Sequence, residues 1–231
     1  MLYNEWEPFY KKILKDFNFN IQKDIEAANV LNSLLKHKKL YPIDKLEKLI
    51  KNKTAFIFGA GPSLEPSIQK HKKKFKDELK ISADGATTAL LKNNIQPDII
   101  VTDLDGKISD QITANSKDSI AIIHAHGDNI EKIKKLVPEF KGDLIGTTQN
   151  NPVFYENLYN FGGFTDGDRA VYLVEHFHVK KTYLIGFDFN NEIGEYSFSE
   201  NKNVKQKIKK LKWCKYLIGS LKMNNKNIYF I

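Results

Sequence analysis

The stretch that decides the fold is residues 79–106, LKISADGATTALLKNNIQPDIIVTDLDG. Residues 79–82 predict a strand, and Gly85 is expected to end it because glycine tolerates left-handed backbone. Residues 87–93 predict a short helix. The β-branched run Ile99–Val101 predicts a second strand, covered on both faces. A strand–helix–strand unit of this kind is typical of parallel sheets.

Two carboxylates follow the second strand directly. Asp103 and Asp105 stand two residues apart, with Gly106 behind them. Like charges at this spacing repel unless a cation or protons neutralise them, and carboxylate oxygens suit Mg²⁺ that also binds phosphate. The alternative is a plain Asp-rich turn, since Asp and Gly favour turns.

Other segments repeat the pattern of a strand that ends in polar residues. Strands are predicted at residues 54–58, 120–123, 144–149, 182–189 and 227–231. Their alternation with helices predicts an α/β fold with an open, mostly parallel sheet, in which ligands bind beyond the carboxyl ends of the strands. Carboxylates fall at these ends or at a helix start: Asp84, Asp103, Asp105, Asp128, Asp166 and Asp188.

A Gly-rich turn follows the strand at 54–58. Gly59 and Gly61 are followed by Pro62 and Ser63, just before a predicted helix. Exposed N–H groups at such a turn can hold phosphate. The turn is neither a P-loop nor a complete dinucleotide fingerprint, and a tight structural turn is the alternative.

A pair of histidines marks the end of the strand at 120–123. Alternation places His124 and His126 on one face, with Asp128 close behind. We interpret these residues as binding phosphate or taking part in proton transfer. A zinc site is a weaker interpretation, because no other ligands have the required spacing.

A second site-like stretch, FGGFTDGDRA, covers residues 161–170. Thr165 or Asp166 can cap the helix that follows. Capping does not account for Asp168 and Arg169 beside them, so a metal–triphosphate site is predicted at this helix start.

Two further segments offer recognition groups. The hydroxyls and amide of Thr147–Gln149 suit the edge of a heterocycle or a phosphate, with turn chemistry as the alternative. Residues 150–160 contain Phe154, Tyr155 and Tyr159, which would form either an aromatic wall or part of the core.

Composition sets the broad class. The 231 residues are 41% hydrophobic and carry a formal net charge of +8. No apolar run is long enough to cross a bilayer, and the single Cys214 excludes an internal disulfide, so a cytoplasmic location is expected. Apolar spacing predicts an N-terminal helical extension over residues 1–50, followed by an α/β catalytic domain over residues 51–231.

Together, the motifs resemble a known family. The Asp-Gly turn, the paired aspartates and the Thr-Asp helix start resemble thiamin pyrophosphokinases. The match is closer to the archaeal 6-hydroxymethyl-7,8-dihydropterin pyrophosphokinases, the MptE-like proteins. The segments that carry it are 59–64, 102–106, 124–129 and 164–170. Thr102 and Gly106 depart from the thiamin enzymes, which have Gly and Ser there.

The resemblance implies a Rossmann-like sheet similar to the thiamin pyrophosphokinase catalytic domain. It also implies transfer of diphosphate from ATP, with Mg²⁺, to 6-hydroxymethyl-7,8-dihydropterin. AMP is released, within tetrahydromethanopterin or folate synthesis. The implied partners are the pterin and ATP, with neither nucleic acid nor membrane, and a homodimer is compatible with the sequence.

On this basis, roles are assigned to the site residues. Asp103 and Asp105 would hold Mg²⁺ with Asp84 or Asp166, and Arg169 would offset charge on the transferring group. His126 or Asp128, with His124 as a further candidate, would orient or deprotonate the hydroxyl. ATP contacts are assigned to the two turns and the helix start: Gly59, Gly61, Pro62, Ser63, Asp84, Gly85, Thr165 and Asp166.

Four other functions remain open at this point. A thiamin pyrophosphokinase would transfer the diphosphate to thiamin instead of the pterin. A nucleotide-sugar-dependent transferase would release a sugar nucleotide instead of AMP. An NAD-binding oxidoreductase would place Asp84 on a ribose, but the third Gly of its fingerprint is missing. A basic RNA-binding module would bind in a salt-sensitive manner, but the clustered aspartates would repel phosphate without a metal.

Overall fold

The protein is described here from a computed structural model, which covers residues 2–190, 192–197 and 204–231. Three helices come first: α1 (Tyr3–Phe17), α2 (Ile21–Leu35) and α3 (Ile43–Ile50). The side chain of Asn20 caps α2 by accepting a hydrogen bond from the N–H of Gln22 at 2.9 Å. The predicted N-terminal helical extension is thereby confirmed.

Strands and helices then alternate as predicted, except that a short strand at Leu158–Tyr159 was not predicted and follows the preceding strand without an intervening α-helix. The strands are β1 (Thr54–Phe58), β2 (Leu79–Ala83), β3 (Ile99–Thr102), β4 (Ile120–Ala125), β5 (Leu144–Thr148), β6 (Leu158–Tyr159), β7 (Lys181–Ile185) and β8 (Ile228–Phe230). The remaining helices are α4 (Leu64–Phe75), α5 (Ala86–Lys92), α6 (Ile108–Ser116), α7 (Ile130–Leu136), α8 (Asp166–His176) and α9 (Val204–Asn224).

Within the described residues, the strands form one eight-stranded sheet in the order β6-β5-β4-β3-β2-β1-β7-β8. Each pairing is parallel. From β1 the chain steps outward to one edge and then returns to pair β7 with β1, with Thr54 opposite Lys181. The direction of winding therefore reverses between β1 and β7, and such reversal points form ligand-binding crevices. The open α/β fold with a Rossmann-like sheet is confirmed.

The sheet is buried on both faces, as its apolar runs predict. Alternate residues of β4 enter different hydrophobic clusters: Ile120 and Ile122 face one side with residues of α3 and α8. On the other face, Ala121 and Ile123 of β4 pack against α2. Full burial of an aliphatic side chain contributes about 1.5–3 kcal/mol, so these layers hold the strand ends in fixed positions.

The N-terminal helices pack into the same body as the sheet. Trp6 and Tyr10 of α1 share a buried cluster with Phe164, Tyr172 of α8 and Leu217 of α9. This packing holds α9 near the carboxyl ends of the strands. A division between two domains at residue 50 stays a prediction. No helix within the described ranges is both long and apolar enough to span a bilayer.

Candidate active site

A cavity of about 570 Å³ lies beyond the carboxyl ends of the central strands. Its walls come from the loops after β1 to β5 and β7, from the starts of α2 and α8, and from α9. Several predicted residues border it: Gly59, Gly61, Asp84, Gly85, Asp103, Asp105, His126, Asp128, Thr165, Asp166 and Arg169. Pro62 and Ser63 do not line this cavity.

Three carboxylates meet at this cavity. Asp84 follows β2, Asp103 follows β3 and Asp166 begins α8. Each offers one oxygen, and these oxygens lie within 4.8 Å of one another. Thr102 donates a 2.6 Å hydrogen bond from its Oγ1 to Oδ1 of Asp84, which joins the ends of neighbouring strands.

The backbone that presents these groups is left-handed at non-glycine residues. Asp84 has φ 43° and Leu104 has φ 68°, whereas Gly85 has φ −62°. The expectation that Gly85 supplies the left-handed turn is therefore wrong, because the aspartate itself adopts it. A left-handed backbone conformation at a non-glycine residue costs about 1–3 kcal/mol, and residues strained in this way are typical of functional sites.

Burial and mutual repulsion shift the carboxylate pKa values. Burial, together with the charges of Asp166 and Asp103, raises the pKa of Asp84 well above its usual value. Burial and the charge of Asp103 raise the pKa of Asp166 to about 6. Burial opposes ionisation of Asp103 as well, but the hydrogen bond from His126, with the positive charges of Lys210 and Arg169, outweighs it and holds the pKa of Asp103 low.

These residues fit a divalent cation. Oδ1 of Asp103 is buried and has no hydrogen-bond partner among the described residues. Three converging carboxylates, of which Asp84 and Asp166 have raised pKa values, together with an unpartnered oxygen need added positive charge. Hard oxygen ligands of this kind suit Mg²⁺.

His126 is hydrogen-bonded to Asp103. Its Nε2 lies 3.1 Å from Oδ2 of Asp103, and its Nδ1 accepts a 3.2 Å hydrogen bond from the N–H of Asp128. Because Nδ1 accepts, the proton sits on Nε2 and is donated to Asp103. His124 is buried instead, with Nδ1 3.1 Å from Oγ1 of Thr147, and it does not line the large cavity. The side chain of Asp128 is exposed at the cavity rim.

The start of α8 combines a cap with a buried ion pair. The N–H groups of Phe164 and Thr165 donate to Asp168 at 2.6 and 2.7 Å. Asp168 is thus a capping residue, contrary to the expectation that capping leaves it unexplained. Arg169 is 7% exposed and donates from Nη1 to Asp166 at 3.0 Å.

Asp105 lies outside the three-carboxylate group. Its carboxylate pairs with Lys132 on α7, and both residues border the cavity. The structure therefore brings together Asp84, Asp103 and Asp166 but not Asp105. A metal-binding role for Asp105 stays a prediction.

The Gly-rich turn packs against β7 rather than offering free N–H groups. Gly59 donates to the carbonyl of Ile185 at 2.8 Å and Gly61 to that of Gly186 at 2.9 Å. Ser63 donates from both N and Oγ to Oδ2 of Asp188, at 2.9 and 2.8 Å. These N–H groups are already paired within the protein. The prediction that they are exposed and can hold phosphate is therefore wrong. Contact between ATP and the turn stays a prediction.

The aromatic residues of the cavity are not the predicted ones. Phe154, Tyr155 and Tyr159 lie elsewhere, and Phe154 is 78% exposed. The cavity is instead lined by Phe19, Phe164, Phe187 and Phe189.

The charged residues of the cavity that the sequence analysis missed include Lys210 and Asp24. Lys210 of α9 borders the cavity, 5.8 Å from the Phe164 ring centroid, and its charge helps to lower the pKa of Asp103. No spacing signal separates it from the other lysines of α9. Asp24 of α2 could have been found, because it shares the buried helical face of Ala27, Ala28 and Leu31.

The Asp24 region depends on a close approach between α2 and the loop after β4. The N–H of Gly127 donates to Oδ1 of Asp24 at 2.7 Å. A Cβ at Gly127 would lie 2.6 Å from Cβ of Lys23, so only glycine fits there. The N-terminal helices thereby complete one wall of the cavity.

Comparison with known proteins identifies the family. The family model described as 6-hydroxymethylpterin diphosphokinase MptE-like matches residues 28–194. A protein named 6-hydroxymethyl-7,8-dihydropterin pyrophosphokinase from Methanocaldococcus jannaschii is 47% identical, over 94% of this chain and 95% of its own length. A Pyrococcus furiosus protein of the same name is 43% identical over 98% of this chain and 96% of its own length.

Two further matches are more distant or partial. A Methanothermobacter thermautotrophicus protein of the same name is 41% identical over 83% of this chain and 81% of its own length. A solved glycosyltransferase structure from Magnetospirillum magneticum matches 72% of this chain and 27% of that chain at 17% identity. The TM-score of this match is 0.49. From the family model and the three archaeal relatives, we conclude that the chain belongs to the MptE-like family of 6-hydroxymethylpterin diphosphokinases.

Proposed function

We propose that the protein transfers diphosphate from ATP to 6-hydroxymethyl-7,8-dihydropterin in the presence of Mg²⁺ and releases AMP, as a step of tetrahydromethanopterin or folate synthesis. Membership of the family makes it a diphosphate-transferring enzyme of pterin chemistry. The observation that carries the finer proposal is the convergence of Asp84, Asp103 and Asp166 within 4.8 Å at the cavity.

The residues suit a metal–triphosphate substrate. Asp84, Asp103 and Asp166 would hold Mg²⁺, which when bound supplies charge that offsets the phosphates. Arg169 and Lys210 add positive charge at the cavity wall. Fixed charges in a largely buried site stabilise a transferring phosphoryl group without reorganisation.

The reaction balances as an in-line displacement. The pterin hydroxyl oxygen forms a bond to the β-phosphorus while the bond from that phosphorus to the α–β bridging oxygen breaks. AMP leaves with the electron pair, and the hydroxyl proton passes to a base or to solvent. Positioning contributes most of the rate in such transfers.

Of the three candidate bases, Asp128 fits best. Both ring nitrogens of His126 are engaged with Asp103 and Asp128, so His126 positions Asp103. His124 lies away from the large cavity, whereas Asp128 is exposed at its rim. We therefore assign the proton to Asp128 or to solvent.

Product analysis tests the proposal. The purified chain is incubated with ATP, Mg²⁺ and either 6-hydroxymethyl-7,8-dihydropterin or thiamin, and the products are identified by mass spectrometry. We expect AMP and the pterin diphosphate. AMP with thiamin diphosphate would keep the chemistry and change the acceptor, and no AMP with either would refute the proposal.

A further inference from the structure

A buried polar group at one wall of the cavity lacks a partner. Gln149 follows β5, is 3% exposed and borders the cavity. Its Nε2 donates to Oδ2 of Asp24 at 2.8 Å. Its Oε1 is buried and has no hydrogen-bond partner among the described residues. An unpaired buried carbonyl is destabilising, and a bound ligand that donates a hydrogen bond to it would remove this cost.

Asp24 fixes the direction of the Gln149 amide. The carboxylate accepts from the N–H of Gly127 at 2.7 Å and from the hydroxyl of Tyr10 at 2.6 Å. An ionised carboxylate accepts only, so the NH₂ group of Gln149 must face it and the Oε1 must face away. Carboxylate oxygens have about four acceptor positions, so Asp24 keeps one after these three hydrogen bonds.

Gln149 and Asp24 therefore offer two hydrogen-bond acceptors at this wall. A ligand that presents two neighbouring donors on one edge would match them. The 2-amino group and the adjacent ring N–H of a pterin are two neighbouring donors. The adenine edge of ATP presents a donor beside an acceptor and does not match. The rings of Phe19 and Phe164, with centroids 6.4 Å apart, also line the cavity and offer apolar surface to a flat heterocycle.

The wall is also near the carboxylates. Asp24 accepts a hydrogen bond from the N–H of Gly127, the residue after His126. His126 in turn is hydrogen-bonded to Asp103. In a 6-hydroxymethylpterin the hydroxymethyl group and the 2-amino group lie at opposite ends of the ring system. A pterin held at Gln149 by its amino end can thus direct its hydroxyl toward the carboxylates.

We propose that Gln149, oriented by Asp24, is the specificity-determining residue that binds the amino-pyrimidine edge of the pterin acceptor. The inference rests on the proposed function and deepens it. It also gives the N-terminal helical extension a role, since Asp24 lies on α2.

Ligand discrimination tests this inference. Binding of fluorescent 6-hydroxymethylpterin and of its 2-desamino analogue is measured on the full chain with Mg²⁺ and a non-hydrolysable ATP analogue. We expect the wild type to prefer the amino compound by at least about 10-fold, and Gln149→Met to lose that preference. The affinity of Gln149→Met for the ATP analogue alone should stay unchanged, which also reports correct folding.

Two further variants complete the design. Gln69→Met makes the same chemical change at an exposed position of α4 and should retain the preference. Gln149→Asn shortens the amide and leaves space for water; it replaces Gln149→Met if that variant fails to fold, and it should also lose the preference.

The outcomes separate the two proposals. If the wild type forms pterin diphosphate but Gln149→Met keeps its preference, or loses affinity for both ligands equally, this inference is wrong and the proposed function stands. If the wild type neither binds nor diphosphorylates the pterin, the proposed function fails and this inference fails with it.

Discussion

The Nε2 of His126 lies 3.1 Å from the Oδ2 of Asp103, so the loop after β4 holds the carboxylate that follows β3. Removal of this donor in His126→Ala should lower activity at limiting Mg²⁺ by about 10–100-fold, since partners of metal-binding groups contribute that much. Gln places an amide nitrogen near the position of Nε2, so His126→Gln should recover most of the loss. Activity titrated against Mg²⁺ measures both variants, and equal loss in the two would contradict a positioning role.

Asp103 itself should be indispensable. Asp103→Asn removes a charged ligand while it keeps the side-chain shape, and we expect at least a ~100-fold loss of turnover. Asp118→Asn is the matched control, because Asp118 is exposed and has φ 72°, a conformation that Asn tolerates. Unchanged turnover and Mg²⁺ dependence in Asp103→Asn would refute the metal assignment.

The raised pKa of Asp166 predicts how stability changes with pH. Its carboxyl has a pKa of about 6 in the folded chain, against roughly 3.9 when unfolded. The unfolded state therefore loses its proton first, and the free energy of unfolding should fall between about pH 4 and pH 6, by on the order of 1–3 kcal/mol. Asp84 acts in the same direction, whereas the lowered pKa of Asp103 affects stability only below about pH 4.

Thermal unfolding across this pH range checks the expectation. With chelator present, Asp166→Asn should show a shallower decrease than the wild type, and Asp118→Asn should not. Millimolar Mg²⁺ should restore stability to the wild type above pH 6, because a bound cation favours the ionised carboxylates. A melting temperature that rises from pH 4 to pH 6 without metal would contradict the assigned direction.

Lys210 should act on the polyphosphate. It borders the cavity from α9, and no ion pair to it occurs among the described side chains. Lys210→Met removes the charge and keeps most of the apolar stem, so we expect about a 10-fold loss in kcat/KM for ATP. Lys212→Met, an exposed lysine on the same helix, should behave as wild type. Equal effects of the two variants would show that only net charge matters.

Most of the fold could be predicted because its signals are local. The run Ile99–Val101 lies in a buried strand within one residue of the expected bounds, since a β-branched run between turn residues has few other structures available. Asp84 and Asp103 were found for the same reason, because each directly follows such a strand. The convergence of Asp166 with them followed from the rule that parallel strands present their carboxyl ends at one edge.

The rest of the site depends on contacts between distant segments. Gln149 and Asp24 are 125 positions apart, and only the packing of α2 against β5 brings them together. The paired N–H groups of Gly59 and Gly61 follow from how closely the loop after β7 approaches, which no local pattern reports. Sequence reading located the chemistry of the strand ends but not the side chains that surround them.

The return of the chain from β6 to the centre of the sheet has a consequence for biosynthesis. β1 pairs with β7, and Thr54 meets Lys181 only after the intervening residues have emerged from the ribosome. Until then the nascent chain exposes an unpaired edge of β1, and such edges favour aggregation. Non-local pairing of this kind also slows folding. The protein should thus depend most on chaperones in the interval before β7 docks, and the cavity wall formed by the loop after β7 should form only then.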